Sequence, residues 1–403
     1  MSNIAKGVSK IVAYKKELTW GTLAGATLAK QLRRVTANFN LTKEAFESNE
    51  IRTDYQVADM RHGVRTAEGS LNGELSPKTY SDFMGSVLAR DFATVTPITG
   101  LSVTIAASGQ LYTVARATGS WLTDGIKVGQ VIRLTAAGLN AANANKNLLV
   151  ATVTALTLTV AVVNGSALIP EGPIATTTAT VVGKYTFAPL TGHTDDSYTI
   201  EEFYSDIAQS EVYTGMKVGT MNVQLPATGL VTVDFGFMGK DLTQTGTTQY
   251  FTAPAAQGTE GIFAAVNGIL LVNGAPVGLV TSADFSVDRG MENATVVGSN
   301  SVADIFTGRI RVTGNFSTYF IDGTFRDYFD DEATVSLVLL VSTQSTANSD
   351  FISFTLPKIK VNSATKDDGE NGIIQQHSFT ALLNEVTTGG LQATTLAIQD
   401  SAA

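Results

Sequence analysis

The sequence predicts a mainly β protein: two tandem β-sandwich or barrel domains, each with a short flanking helix, and a small all-β domain inserted into the first. Three observations carry this prediction. The stretch VADMRHGVRTAEGSLNG (57–73) returns as VADIFTGRIRVTGNFST (302–318), an offset of 245 (302 minus 57). Both copies alternate polar and apolar residues in the same phase, and about a hundred residues rich in β-branched side chains interrupt the first copy only.

Laid on each other without a gap, residues 57–84 and 302–329 pair Val57 with Val302, Ala58 with Ala303, Asp59 with Asp304, Gly63 with Gly308, Gly69 with Gly314, Thr79 with Thr324 and Asp82 with Asp327. Average composition would give only about two such identities. Upstream, TANFNL (36–41) meets SADFSV (282–287) with the spacing changed by one; downstream, GLVTVDFGF (229–237) has a looser counterpart in GIIQQHSFT (372–380). In the first copy Glu68, Ser70, Asn72 and Glu74 point one way, and Ala67, Gly69, Leu71 and Leu75 the other. In the second, Thr313, Asn315 and Ser317 form the polar row, with Ile310, Val312, Phe316 and Phe320 opposite. A slip of one residue would turn every side chain over, so the common phase implies a common core face. SPKTYSDFMGSVLAR (76–90) then predicts a helix, with Ser76 as N-cap, Pro77 at the first helical position, and Tyr80, Phe83, Met84 and Val87 as a core stripe.

These signals divide the chain into a first repeat domain (1–92 with 192–245), an inserted small β domain (93–191), a linker (246–275), a second repeat domain (276–390) and a flexible C-terminal tail (391–403). The insert reads as short strands between Gly and Asn turns, for example LLVATVTALTLTVAVV (148–163), whose Thr alternation falls short of the ~20 unbroken apolar residues of a membrane-spanning helix. The linker has turn composition in TQTGTTQ and APAAQGTEG.

The chain has no Cys, which removes disulfides and thiolate chemistry and fits synthesis in a reducing cytoplasm. Its first residues lack the apolar core of a secretory signal. A net charge of −9 opposes tight, sequence-independent adhesion to DNA phosphates but does not oppose a surface that DNA must pass without sticking. Charged residues make up 16% of the chain against ~25% in ordinary soluble domains, as suits a subunit of a larger assembly.

Catalytic motifs do not emerge, and no cofactor or metal is expected. His62, His193 and His377 stand far apart, no G-x-S-x-G elbow occurs, and GFMGKD (236–241) lacks the spacing of a phosphate loop. The acidic runs Glu201-Glu202 and DYFDDEA (327–333) read as turns or exposed faces. Asp59 and Asp304, twinned by the duplication, are expected to serve a turn or a subunit contact, since a catalytic acid rarely needs a twin. Trp121 is a core residue or a sugar platform.

With these elements in hand, the sequence resembles the major tail tube proteins of long-tailed bacteriophages, through RTAEGSLNGELSPKTYSDFMGSVL (65–88), YTIEEFYSDIAQSEVYTGMKVGTMNVQLP (198–226) and GLVTVDFGFMGK (229–240). The resemblance covers both copies and leaves the insert out. It implies a structural, non-enzymatic virion protein, made in the host cytoplasm, whose domains close into rings that stack as a conduit for DNA ejection. Rings of that family hold six tube domains, so two per chain imply a trimer with pseudo-sixfold symmetry. Implied partners are further copies of itself, the tape measure, tail terminator and distal tail proteins, and passing genomic DNA, with no membrane. Glu68, Ser70, Asn72, Glu74, Thr313, Asn315 and Ser317 become candidates for the lumen, and loops 42–56 and 288–301 for contacts between stacked rings. Alternatives are the inner tube of a contractile tail or secretion apparatus, a surface adhesin or glycan-binding β-repeat protein, and a glycan-degrading tail enzyme.

Overall fold

The structure is a computed structural model and describes residues 4–368, 370–386 and 388–403. The first copy opens with β1 (Lys10–Lys16), β2 (Lys30–Gln31), β3 (Thr36–Glu47), β4 (Met60–Glu74) and α1 (Ser81–Val87). Next come β5 (Ile98–Ser108), β6 (Leu111–Arg116), β7 (Val131–Thr135), β8 (Leu148–Val153), β9 (Thr157–Val162) and β10 (Glu171–Val181), which close a barrel in the order β10-β5-β6-β9-β8-β7. The chain returns through β11 (Lys184–Phe187), β12 (Tyr198–Tyr204), β13 (Gln209–Leu225), β14 (Thr232–Gly239) and β15 (Asp241–Gly246). The second copy contains β16 (Gly268–Val272), β17 (Ala275–Pro276), β18 (Val280–Asp288), β19 (Glu292–Ala294), β20 (Asp304–Phe306), β21 (Arg311–Tyr319), α2 (Thr324–Asp330), β22 (Thr334–Ser342), β23 (Phe351–Lys366), β24 (Ile374–Ala381) and β25 (Ala397–Asp400).

Both copies follow one plan. A front sheet runs β3-β4-β14-β13 in the first and β18-β21-β24-β23 in the second. A back sheet runs β1-β12-β13-β15 and β16-β22-β23-β25. The long strands β13 and β23 serve both sheets. Each turns the corner at a bulge, between Val218 and Thr220 in one and between Val361 and Ser363 in the other. The register explains the duplicated glycine. Gly69 lies opposite Phe39 and Phe237, and Gly314 opposite Phe285 and Phe379. A Cβ at Gly69 would stand 2.1 Å from Phe39 Cδ1, and one at Gly314 2.5 Å from Phe379 Cζ, so only glycine lets these rings cross the strand. The same register makes Phe379 the equivalent of Phe237, one residue away from the sequence match of 229–237 to 372–380.

One hydrophobic core runs through both copies, and it holds the expected stripe of Tyr80, Phe83, Met84 and Val87. The barrel has its own core, which also takes in Leu271, Val338, Leu340 and Phe351 from the back sheet of the second copy. An excursion from the first copy is thus packed on the second. Trp121 is fully buried in the barrel core beneath the Arg116 guanidinium, 4.9 Å away, and offers no sugar platform.

Three expectations are corrected. The helix starts at Ser81 and not near Pro77, because Lys78 adopts φ 65° and donates its N–H to Asp400 Oδ2 at 2.8 Å, holding 77–80 in a turn. Part of the segment read as a linker forms β16, which pairs with β22 in the place β1 has beside β12. The segment read as a flexible tail forms β25, fully buried, between β23 and β11. It fills the place of β15 in the first copy, so a back sheet without it would have an open apolar flank.

His377 fills the position of Phe235 in the second copy, stacked 4.7 Å from Phe316, with Thr318 Oγ1 3.3 Å from Nε2. Burial pushes its pKa down to about 4. The folded state therefore holds the ring neutral, so this contribution is complete above pH 6.5 and is lost as pH falls toward 4. Acidification across that window is expected to remove about 3 kcal/mol of stability. The H377F variant should show a flatter stability profile between pH 7 and 4 in denaturant titrations, and an unchanged slope would contradict this assignment.

Candidate assembly and channel-lining surface

The two front sheets are one sheet. Between them β13 pairs antiparallel with β18, placing Thr220 opposite Asp288, Asn222 opposite Ser286 and Gln224 opposite Asp284. The result is eight strands in the order β3-β4-β14-β13-β18-β21-β24-β23. Because every strand alternates with period two, one face of this sheet is apolar and joins the core while the other is mostly polar, with Met238 the apolar exception opposite Glu68.

Glu68 and Ser70 are exposed on the polar face and Asn72 and Glu74 half-buried, while the intervening Ala67 and Leu71 are fully buried. Thr313 and Asn315 stand on the same face of β21. Ser317 shares their parity but is closed off, its hydroxyl bonded to those of Thr281 and Ser282 at 2.6 and 2.7 Å. The seven residues therefore share one side of one continuous sheet, six of them at its surface, although the two rows come from opposite halves of the chain. Asn72 Nδ2 donates to Asp234 Oδ1 at 2.7 Å and Asn315 Nδ2 to Asp284 Oδ2 at 3.0 Å, so each amide holds a neighbouring carboxylate upright on the face. Asn38, Asn40, Glu68, Ser70, Thr220 and Asp288 line one open groove, so this part of the face is concave. Glu68, Glu74, Asp234, Asp284 and Asp288 make it predominantly acidic, with Arg311 opposite Asp288.

Asp59 and Asp304 share a local geometry: each accepts a hydrogen bond from the N–H of the next residue, Met60 or Ile305, at 2.9 and 2.7 Å. Their longer-range contacts differ. Asp59 pairs with Arg61 in an exposed hairpin, whereas Asp304 lies 3.7 Å from Lys217 Nζ of the first copy. Lys217 is 1% exposed. Its Nζ also contacts Asp195 Oδ2 at 2.6 Å and Ile305 O at 3.3 Å, and sits 5.5 Å from the Trp20 ring. Nearby, the buried Arg289 guanidinium donates to Ser86 O in the last turn of α1 at 3.0 Å. Sequence reasoning passed over Lys217. Its signal was MKV (216–218) against IKV (359–361), visible once the bulges align β13 with β23.

No helix among the described residues is long and apolar enough to cross a membrane. None of the curated proteins matches the chain. A family model described as phage tail tube protein matches residues 7–381. The mainly β fold, the duplicated sandwich and the match over nearly the whole length agree: the chain belongs to the phage tail tube protein family, as a structural component of the virion tail.

Proposed function

We propose that three chains close a ring through their front sheets, that rings stack into the tail tube, and that genomic DNA passes along the polar face on its way into the host. The observation that carries this reading is the β13–β18 pairing, which continues the sheet of one tube domain into the next inside a single chain. The same step can be repeated outward. Among the described residues, β3 pairs only with β4, and residues 361–366 of β23 pair only with β24, so the eight-stranded sheet ends in two open edges. Open edges of this length are an aggregation liability in a monomer and a joint in a closed barrel.

Eight strands from each of three chains make twenty-four (8 × 3), a backbone circle about 37 Å across at ~4.8 Å per strand. Strand tilt widens it further. With the apolar face committed to the core, the polar face lines the bore, and its carboxylates repel phosphates so that DNA slides without sticking. The exposed Phe46, Ile51, Tyr55 and Val57 of the β3–β4 hairpin and Val297 and Phe306 of the second copy project beyond the sheet and meet the stacked ring. The tube ends meet the tape measure, terminator and distal tail proteins. The role is structural and not enzymatic.

Electron microscopy of the purified protein and of purified tails tests this reading. Hollow tubes should have threefold rings with a pseudo-sixfold outline and a bore lined by the sheet bearing Glu68 and Asn315. A bore lined by another surface, or rings without threefold symmetry, would refute it.

A further inference from the structure

We infer that the junction between the two copies inside the chain is repeated between chains, with Lys360 of one chain bound by Asp59 of the next and Ser363 placed opposite Thr42. This rests on the ring reading and goes further by giving the interface its register and its ion pair. It follows from the internal pseudo-symmetry and from one binding position that is filled at one corner and open at the other.

Matching bulges make Lys217 equivalent to Lys360 and Thr220 equivalent to Ser363. The strand pairings that bring Phe39 opposite Gly69 and Phe285 opposite Gly314 make β3 equivalent to β18, with Thr42 at the place of Asp288. Each corner lysine has a carboxylate from its own copy: Lys217 pairs with Asp195 at 2.6 Å and Lys360 with Glu332 at 3.2 Å. At Lys217 the β20 segment of the second copy completes the site, with Asp304 Oδ1 at 3.7 Å and Ile305 O at 3.3 Å, and leaves the side chain 1% exposed. Lys360 lacks that cover, and its side chain is 37% exposed.

The element equivalent to β20 is the end of the β3–β4 hairpin, where the duplication puts Asp59 and Met60 at the places of Asp304 and Ile305. That hairpin lies at the opposite edge of the same chain's sheet, so only another chain can bring it to Lys360. When it arrives, Asp59 exchanges its exposed partner Arg61 for Lys360, as Asp304 already does for Lys217.

Three further substitutions keep the copied junction compatible. At the internal junction a Cβ on Gly219 would meet Met291 Sδ at 2.9 Å; at the open one, Asn362 replaces the glycine and Ala45 the methionine, so small against large becomes large against small. Arg289, which reaches the last turn of α1, is replaced by Lys43, which keeps the positive charge. In this register Thr365 faces Asn40 and Asp367 faces Asn38, following Asn222 with Ser286 and Gln224 with Asp284.

The absence of Cys makes the test direct. Directly opposed antiparallel residues have Cα atoms ~4.5 to 5.5 Å apart, within the range a disulfide spans. The double variant S363C/T42C should form covalently closed multimers on oxidation, in tubes from the purified protein and in tails from phage carrying the substitutions. The pair S363C/N38C, four residues out of register, should not. Charge supplies a second readout: K360E and D59K should each reduce tube yield about ten-fold through like-charge contact, and K360E/D59K together should restore it to within about two-fold. Threefold tubes that cross-link through S363C/N38C, or a swap that rescues nothing, would overturn the register while leaving the ring reading intact. Particles without threefold rings would overturn both.

Discussion

A chain lacking residues 395–403 is expected to lose its cooperative fold, whereas one lacking only 402–403 should melt within a degree or two of the intact protein. The removed segment carries Leu396, Ala397 and Ile398, all fully buried, and its strand β25 supplies backbone partners to β23 on one side and β11 on the other. Its polar side chains tie three parts of the molecule together. Gln399 accepts from Val131 N at 2.7 Å and donates to Val131 O and Val182 O at 2.9 and 2.7 Å, gripping the barrel. Asp400 accepts from Lys78 N and Ser81 Oγ at 2.8 and 3.0 Å, gripping the approach to α1. Burial pushes the Asp400 carboxyl above its usual range, and these donors pull it back.

Each large apolar residue lost from such a site costs about 2 to 5 kcal/mol, and the unpaired edges of β23 and β11 add to that. The sum reaches the ~5 to 15 kcal/mol by which whole domains are stable. Limited proteolysis and thermal unfolding of the unassembled subunit provide the check. A truncated chain with the intact chain's melting temperature would show that β25 is dispensable.

The second large effect is expected at Phe83. Its ring is fully buried, with centroids of Tyr14, Tyr198, Phe235 and Phe237 at 4.7, 5.2, 5.6 and 5.3 Å. It is the hub where α1 meets both sheets of the first copy. Around it, Tyr14 OH donates to Asp82 Oδ2 at 2.8 Å, and the Tyr198 hydroxyl is 2.6 Å from Ser86 Oγ, so the helix is tied down on both sides of the ring. F83A leaves a cavity that these bonded neighbours are poorly placed to fill, and about 3 to 5 kcal/mol of stability should go with it. Edge-to-face contacts, worth ~0.5 to 1.5 kcal/mol each, push the loss toward the upper end. F83L should recover most of it. Chemical denaturation decides the matter, and a loss below about 1 kcal/mol would mean that the neighbours collapse into the space.

These energetic centres differ in how visible they are in the sequence. Phe83 was legible because a helical stripe is a local signal: its spacing is set by 3.6 residues per turn, and its members lie within one short segment. The polar rows of β4 and β21 were legible for the same reason, and the duplication strengthened them, since a phase found twice is hard to produce by chance. β25 was not. Four residues, AIQD, are too few to display a period, and small polar neighbours surround them. Lys78 likewise belongs to a segment with sound helix-start chemistry, yet a carboxylate 322 positions away holds its backbone in a turn.

The mainly β character, the repeated segment, the phase of the apolar faces and the resemblance to tail tube proteins were all readable from the residues alone. All are local or periodic properties, encoded by side-chain alternation within single strands. Four features emerge only in the folded chain: the two polar rows share one sheet, the interrupting barrel packs on the other copy, residues 397–400 complete a back sheet, and one of two equivalent lysines is covered while the other is open. Those facts depend on which strand edges meet. The backbone groups that make such a pairing are the same in every residue but proline, so the choice of partner is settled by packing across the whole molecule.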